Sequence, residues 1–393
     1  MVASPCVAVA ESPVVFEKTV LTDRFHAEAA GFGDIDKDGH GDAVYGPYWY
    51  AGPTFAERFE IYPPKDFDPN QYSNNFMTAV ADIDGDGRLD VLVNEWPGKA
   101  VHWFKNPGGR TGAWTKHLVH PTVDNESPAW LDVSGDGQAE LVFHTGGVLG
   151  YARPSEKTAT ERWAFIPCSA PEQWGRYQHG LGVGDLNADG RHDLLMNGGW
   201  WEQPVAGAAG QTPAAWTKHA VDFGKGGAQM HALDVDGDGD ADVVTSIEGH
   251  GYGLSWFEQA RKGDTVEFIE HAILPRQADQ KLDGVQFSQP HAVAIVDIDG
   301  DGLQDIVTGK RFWAHGPKGD PDPGGTPYLY WFKLHRKDGS VSWTPHEIDA
   351  ASGVGTQLAV GDLNGDRRPD LVVGNKKGGF VFVQKPREPS QPR

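Results

Sequence analysis

Basic residues are scarce in this chain. Its 393 residues hold 34 Lys and Arg against 55 Asp and Glu, a formal net charge of −21. A nucleic-acid partner needs a basic surface, so that class of function is excluded. Cysteine is nearly absent. Cys6 and Cys168 are the two present, too few for a disulfide framework. No apolar stretch is long enough to cross a membrane as a helix. Helical periodicity is lacking throughout. There is no G-x-S-x-G, no phosphate-binding glycine loop and no Cys pair, so serine hydrolase and kinase chemistries have no footing. What the chain has in quantity is turn-forming residues, with 51 Gly and 27 Pro.

It also has a repeated acidic pattern. DIDKDGHGD begins at Asp34, DIDGDGRLD at Asp82, DVSGDGQAE at Asp132, DLNADGRHD at Asp185, DVDGDGDAD at Asp234, DIDGDGLQD at Asp297 and DLNGDRRPD at Asp362. The starts lie 48, 50, 53, 49, 63 and 65 residues apart. A period near fifty residues with short apolar flanks fits one four-stranded propeller blade per repeat. The predicted fold is therefore all-β: a seven-bladed β-propeller with an acidic loop between strands one and two of each blade.

Each loop places side-chain oxygens at positions 1, 3, 5 and 9. The candidate calcium ligands are Asp34, Asp36, Asp38 and Asp42; Asp82, Asp84, Asp86 and Asp90; Asp132 and Asp136; Asp185, Asn187, Asp189 and Asp193; Asp234, Asp236, Asp238 and Asp242; Asp297, Asp299, Asp301 and Asp305; and Asp362, Asn364, Asp366 and Asp370. Ca²⁺ takes six to eight hard oxygens, which alternating carboxylates on a tight turn supply. Position 6 is Gly in six loops, which lets the backbone turn sharply. The third loop departs with Ser134 and Glu140, and the seventh with Arg367 at position 6. An EF-hand would need a Glu at position 12 and flanking helices; here the flanks (VLVNEW, IVTGK, LVVGNK) read as strands. An acidic, solvated turn without metal is the plainer reading of any single loop. The set resembles the FG-GAP/VCBS-type repeat of integrin-like propellers, a resemblance that implies Ca²⁺ between two strands. A full complement of seven divalent ions would cancel two thirds of the net charge.

Within a repeat, strand three carries an aromatic pair (AVHWFKN, GLSWFEQ, YLYWFKL) and strand four closes (WTKHLVH, WTKHAVD, FIEHAIL, WTPHEID). The last repeat stops at its third strand, FVFVQKP, and FEKTVLTD at Phe16–Asp23 supplies a matching fourth. The N-terminal strand is thus predicted to close the final blade. Residues 11–386 read as one domain, 1–10 as a signal-peptide remnant or disordered tail, and 387–393 as a disordered tail. Ala8-Val9-Ala10 before Glu11 is similar to the end of a secretory cleavage site, and millimolar external Ca²⁺ suits such loops. The expected location is outside the cytoplasm, periplasmic or extracellular.

Of the 16 histidines, His117, His219, His271 and His346 recur at one place in strand four, which marks a packing position. A different set lies six residues before the first Asp of each loop: Glu28, Phe76, Glu126, His179, Ala228, His291 and Thr356. This is the start of the innermost strand, which lines the central channel. His179, His291, Glu126 and Glu28, with His231 and His26 nearby, are the candidate catalytic or metal-holding residues. Imidazole and carboxylate together suit Zn²⁺, Mn²⁺, Fe²⁺ or Ni²⁺, a site unlike the all-oxygen loops. Polar residues filling a wet channel are the alternative.

Fourteen Trp are present, and seven of them, Trp49, Trp96, Trp130, Trp174, Trp200, Trp201 and Trp313, fall outside the repeating strand-three and strand-four slots. Several sit in longer loops such as GPYWYAGP, NGGWWEQP and GKRFWAHGPKGDPDPGG. The candidate substrate-binding rim is Trp49, Trp200, Trp201, Lys310, Arg311, Trp313, His315, Tyr177 and Gln357, with His250 beside it. Flat rings stack on sugar faces while polar groups bind hydroxyls. Packing within the loops is the alternative.

QMHALDVDGDG around His231 and SQPHAVAIVDIDGDG around His291 resemble strand-one segments in the propeller of the aldos-2-ulose dehydratase family. That resemblance implies metal-assisted elimination of water from a keto-sugar at the His-lined mouth. The expected function is a metal-dependent lyase or dehydratase acting on carbohydrate. A non-catalytic module binding glycan or protein is the competing expectation.

Overall fold

The computed structural model describes residues 13–154, 160–205, 215–262 and 265–386. The expected tails at 1–10 and 387–393 lie outside them. Among the described residues the chain forms strands and turns and no helix.

Each repeat folds in the same way. In the second, Met77–Ala81 pairs antiparallel with Asp90–Asn94, which pairs with Lys99–Lys105, which pairs with Thr115–Val123. The apolar residues of each middle strand are buried on both faces, as in DVLVN, so they cannot alternate with polar ones. The innermost strands of successive repeats then lie side by side. Ala30–Gly33 contacts Met77–Ala81 on one side and Leu358–Gly361 on the other, and Gln229–Leu233 contacts Pro290–Val296. This is a β-propeller arrangement.

The sheets do not separate into seven. Five have four strands and one has eight. In the eight-stranded sheet the inner strand of the fourth repeat, Leu181–Gly184, pairs in parallel with that of the fifth, Gln229–Leu233. Glycine makes this possible. A Cβ on Gly182 would meet the Met230 carbonyl oxygen at 2.2 Å, and one on Gly184 would meet the Ala232 Cβ at 2.4 Å. With two small residues facing it, the neighbouring strand closes to hydrogen-bonding distance instead of packing side chain on side chain.

The N-terminal strand, Phe16–Thr22, is where the sequence placed it. It runs antiparallel to Gly378–Gln384, from Phe16 opposite Gln384 to Thr22 opposite Gly379. The final sheet is thus built from both ends of the described chain.

Aromatic pairs fill the space between repeats. The recurrent His of strand four stacks on the Trp directly across from it: Trp103 on His117, Trp256 on His271 and Trp331 on His346, with ring centroids 4.4–4.7 Å apart. Trp200 belongs to this set, stacked on His219 at 4.0 Å, and Trp49 stacks on Phe59 at 4.5 Å. Trp49, Trp200 and Trp201 are 1–3 % exposed and lie in the core. They are not at a rim, which corrects the expectation from sequence. The doubled Trp in GWWEQP concealed the repeat, because either ring could have been taken as the odd one.

The acidic loops hold a second regularity. In all seven, the position-9 carboxylate accepts the backbone N–H of position 2, from Ile35 on Asp42 at 2.7 Å to Ile83 on Asp90 at 3.2 Å. In six loops its other oxygen accepts a backbone N–H from within or just past the third strand, for instance Asn106 on Asp90 and Gln259 on Asp242, each at 2.8 Å. Glu140, one methylene longer, spends one oxygen on Val133 and Ser134 and leaves the other buried without a partner. These side chains tie three strands of a sheet together. Burial pushes the Asp carboxyls up to about 6, and Asp305 to about 7, against the lowering effect of those N–H groups.

Candidate functional site

The site is assembled at the entry to the inner strands. In the fourth, fifth and sixth repeats the residue eight before the first loop Asp takes the left-handed backbone conformation: Tyr177 (φ 64°), Gly226 (φ 102°) and Gln289 (φ 59°). For Tyr and Gln that conformation costs about 1 kcal/mol or more. It turns the chain so that His179 and His291, two residues on, face the channel. Backbone bonds between repeats fix the ring of entries, among them Glu126 N–H to the Gln178 carbonyl (3.1 Å), Thr356 N–H to the Glu28 carbonyl (2.7 Å) and Gln289 N–H to the Gly251 carbonyl (2.7 Å).

Four residues converge there. One ligand-type atom from each of Glu126, His179, His250 and His291 lies within 4.8 Å of every other. The Nε2 atoms of His179 and His291 are 3.2 Å apart, and Glu126 oxygens lie 3.3 Å and 3.2 Å from them. His250 lies edge-on to His179, with centroids 4.7 Å apart.

The protonation states follow from the neighbours. His179 Nδ1 is 2.7 Å from the Tyr177 carbonyl, which only accepts, so this nitrogen carries a proton. His291 Nε2 is 2.9 Å from Arg311 Nη1, which only donates, so this nitrogen is bare. Burial first, and Arg311 next, push His291 down to about 4, which keeps it neutral. Burial raises the pKa of Glu126, but His179, Arg311 and His291 together outweigh that and hold it well below the usual carboxylate range. The bare His291 Nε2 thus accepts from Arg311 and stands 3.2 Å from His179 Nε2, beside the Glu126 carboxylate.

Arg311 anchors the arrangement. It is 1 % exposed, donates from Nη1 to Glu126 at 2.6 Å and from Nη2 to Glu28, and its positive form is strengthened by both. Beyond the cluster, His315 Nδ1 is held 2.7 Å from Asp320, and that contact raises its pKa. Tyr72, Trp96 and Tyr177, all part-exposed, bring their rings together with centroids 6.1–6.4 Å apart.

The sequence expectation thus meets in one place for Glu126, His179, His291, Glu28 and Arg311, with His315 and Tyr177 beside them. Other candidates lie elsewhere. His26 points its Nδ1 at the Lys65 carbonyl (3.0 Å) and packs on Tyr48. His231 is three residues further along its strand than His179 on its own, an odd step that turns it to the other face, and its Nε2 lies 3.0 Å from the Val293 carbonyl. Gln357 accepts from Thr78 N–H. Lys310 is buried against Ser288, and Trp313 packs on Phe312. His250 was expected at the rim and stands inside the cluster. Asp320, Tyr72 and Lys376 carried no signal, since the first two come from connections of unequal length and Lys376 from a two-residue turn whose residue type does not recur.

The acidic loops also gather oxygens. Asp34, Asp36 and Asp42, then Asp82, Asp84 and Asp86, then Asp132, Asp136 and Glu140 each bring ligand atoms within 4.8 Å. All-oxygen donors of this kind fit a hard cation. In two loops a lysine reaches in: Lys105 to Asp84 and Asp86, and Lys333 to Asp299 and Asp301.

Fold and loops together define a β-propeller with a repeated acidic turn. The FG-GAP-like repeat model matches residues 82–143 and 234–308, and the FG-GAP repeat model matches 354–383. Those segments of the chain carry FG-GAP repeats on a propeller fold. It is similar to Cartilage acidic protein 1 of Xenopus tropicalis, 28% identical over 129 residues, covering 28% of this chain and 19% of that protein. It is similar also to Integrin alpha pat-2 of Caenorhabditis elegans, 22% identical over 190 residues, covering 38% and 15%. The match therefore spans less than a fifth of either relative. Among solved structures, rhamnogalacturonan lyase YesW aligns over 98% of this chain and 76% of its own at 14% identity and a TM-score of 0.46. The V. cholerae biofilm matrix protein Bap1 aligns over 99% and 91% at 12% identity and a TM-score of 0.44. Likeness at that level says nothing of activity. The matches carry the FG-GAP repeat and do not show the narrower dehydratase resemblance.

Proposed function

We propose that this protein is an exported, calcium-stabilised propeller of seven repeats, two of which share one sheet, whose channel mouth is a metal-dependent site for carbohydrate, with lyase or dehydratase chemistry on a keto-sugar. The observation that carries the reading is the meeting of His179 Nε2 and His291 Nε2, 3.2 Å apart, with the Glu126 carboxylate, one oxygen of which lies 3.3 Å from the first and the other 3.2 Å from the second.

Glu126, His179, His250 and His291 are the residues that would hold a divalent transition ion. Bound there, it would supply Lewis acidity to a substrate carbonyl and so acidify the adjacent C–H. The protein groups have separable parts in this scheme. Tyr177 fixes the tautomer of His179 through its carbonyl. Arg311 keeps Glu126 ionised and aligned. His315, oriented through Nδ1 by Asp320, has Nε2 left to take the proton from carbon as the β-oxygen departs with its bonding electrons.

Metal analysis after exhaustive dialysis tests the reading. A transition metal beyond calcium is expected in the wild type, lost in His179→Ala and His291→Ala while thermal melting holds. Turnover of a keto-glycoside to an enone, followed by ultraviolet absorbance, is expected to be lost with it. A protein that carries calcium alone, is inert toward keto-sugars and is retained on a glycan array would instead be a binding module.

A further inference from the structure

Lys376 is a charged group with an unsatisfied need. Its side chain is 5 % exposed, and its Nζ meets one protein acceptor, the Ala314 carbonyl at 3.3 Å. Among the described residues no carboxylate stands within ion-pair distance of it. The acids nearby act on it from beyond ion-pair distance: Glu28 and Glu126 are paired with Arg311, Glu28 through one oxygen alone, and Asp320 with His315. Burying an ammonium without a counter-charge costs several kcal/mol, and its pKa is lowered, first by burial. A transition ion in the neighbouring cluster would add positive charge and deepen the deficit.

The surroundings of that ammonium are aromatic. Nζ lies 5.3 Å from the Tyr72 ring centroid and 5.8 Å from that of Phe25. Tyr72 is one corner of the triangle it forms with Trp96 and Tyr177, and it also faces His315 at 6.5 Å. These residues come from separate repeats and share no sequence pattern. They form a part-exposed apolar platform with one buried positive charge at its edge.

We infer that Tyr72, Trp96, Tyr177 and Lys376 form a subsite for an acidic sugar, the pyranose ring stacking on the aromatic platform and a uronate carboxylate pairing with the Lys376 ammonium. The inference rests on the carbohydrate reading above and narrows its substrate to a uronic-acid-containing saccharide. One ammonium matches one carboxylate; a phosphate dianion would call for an arginine fork or several cations. The cluster of tilted rings offers aromatic faces to a ring with an apolar face.

Calorimetric titration with trigalacturonate and with galactotriose, at low and high salt, tests this. The wild type is expected to bind trigalacturonate, with salt-sensitive affinity, at least about tenfold more tightly than galactotriose. Lys376→Met is expected to abolish that preference while melting at or above the wild-type temperature, since an apolar side chain of similar length replaces an unpaired buried charge. Lys376→Arg is expected to keep it, and Trp96→Ala to weaken both sugars several-fold. Equal binding of the two sugars, an undiminished preference in Lys376→Met, or no binding of either would overturn the inference. Its failure differs from failure of the enzyme reading. A protein that binds trigalacturonate but holds no transition metal keeps the subsite, whereas one that turns over a neutral keto-sugar and ignores trigalacturonate keeps only the chemistry.

Discussion

Arg311 and Glu126 lie 185 positions apart in the chain and 2.6 Å apart in the fold, joined by a buried charge-assisted hydrogen bond. The same guanidinium reaches Glu28, so three repeats are tied through one side chain. Removing it would strand two buried carboxylates. Arg311→Leu is expected to destabilise the protein by about 3–5 kcal/mol, measured by denaturant unfolding. Restoring neutrality with Glu28→Gln and Glu126→Gln in the same chain should recover a large part of the loss. Failure to recover any would show that the guanidinium acts by packing instead.

The position-9 and position-5 carboxylates of a loop separate calcium binding from architecture. Asp242 accepts two backbone N–H groups, at 2.8 Å each, that hold three strands. Among the described residues, Asp238 accepts the local Asp240 N–H. Asp242→Ala is expected to cost about 2–5 kcal/mol whether calcium is present or chelated. Asp238→Ala should change little in chelator and lose stabilisation in calcium, about 2.7 kcal/mol for a site at a hundredfold excess over its Kd. Differential scanning calorimetry in calcium and in chelator reads both.

Deleting residues through Asp23 leaves Gly378–Gln384 as an open sheet edge. Such an edge templates association. The truncated protein is expected to melt lower across the whole transition and to form larger species in light scattering. An unchanged monomer with an unchanged melt would mean the first strand is dispensable.

His144 supplies a pH dependence away from the channel. It is fully buried and neither ring nitrogen has a partner, so burial pushes it down to about 4. The unfolded chain, near 6.5, takes the proton more readily than the fold does. The stability from keeping this ring neutral is therefore complete above pH 6.5 and is lost as pH falls toward 4. On the order of 2–3 kcal/mol is involved. His144→Leu should flatten that part of the stability curve, seen by urea unfolding across this range.

Much of the propeller was legible because its signals are local and periodic. The acidic nonapeptides lie within nine consecutive residues, and counting six back from each located Glu28, Glu126, His179 and His291 together. The fusion of two repeats was less legible, because it depends on Gly182 and Gly184 meeting a neighbouring strand whose distance no spacing reveals. Histidines that look alike in sequence parted company on strand geometry: His179 and His291 share a register, while His231 is turned by an odd step. Lys376, Asp320 and Tyr72 were illegible for another reason. Tyr72 and Asp320 come from long connections without a counterpart in the other repeats, Lys376 from a short turn whose residue type does not recur, and their meeting is a property of the closed ring alone.

The shared final sheet sets an order of events. Phe16–Thr22 emerges from the ribosome long before Gly378–Gln384, the strand it must pair with. For all of that time the segment has no lawful neighbour, and the interval is one in which a chaperone, or a second nascent chain, could take its place.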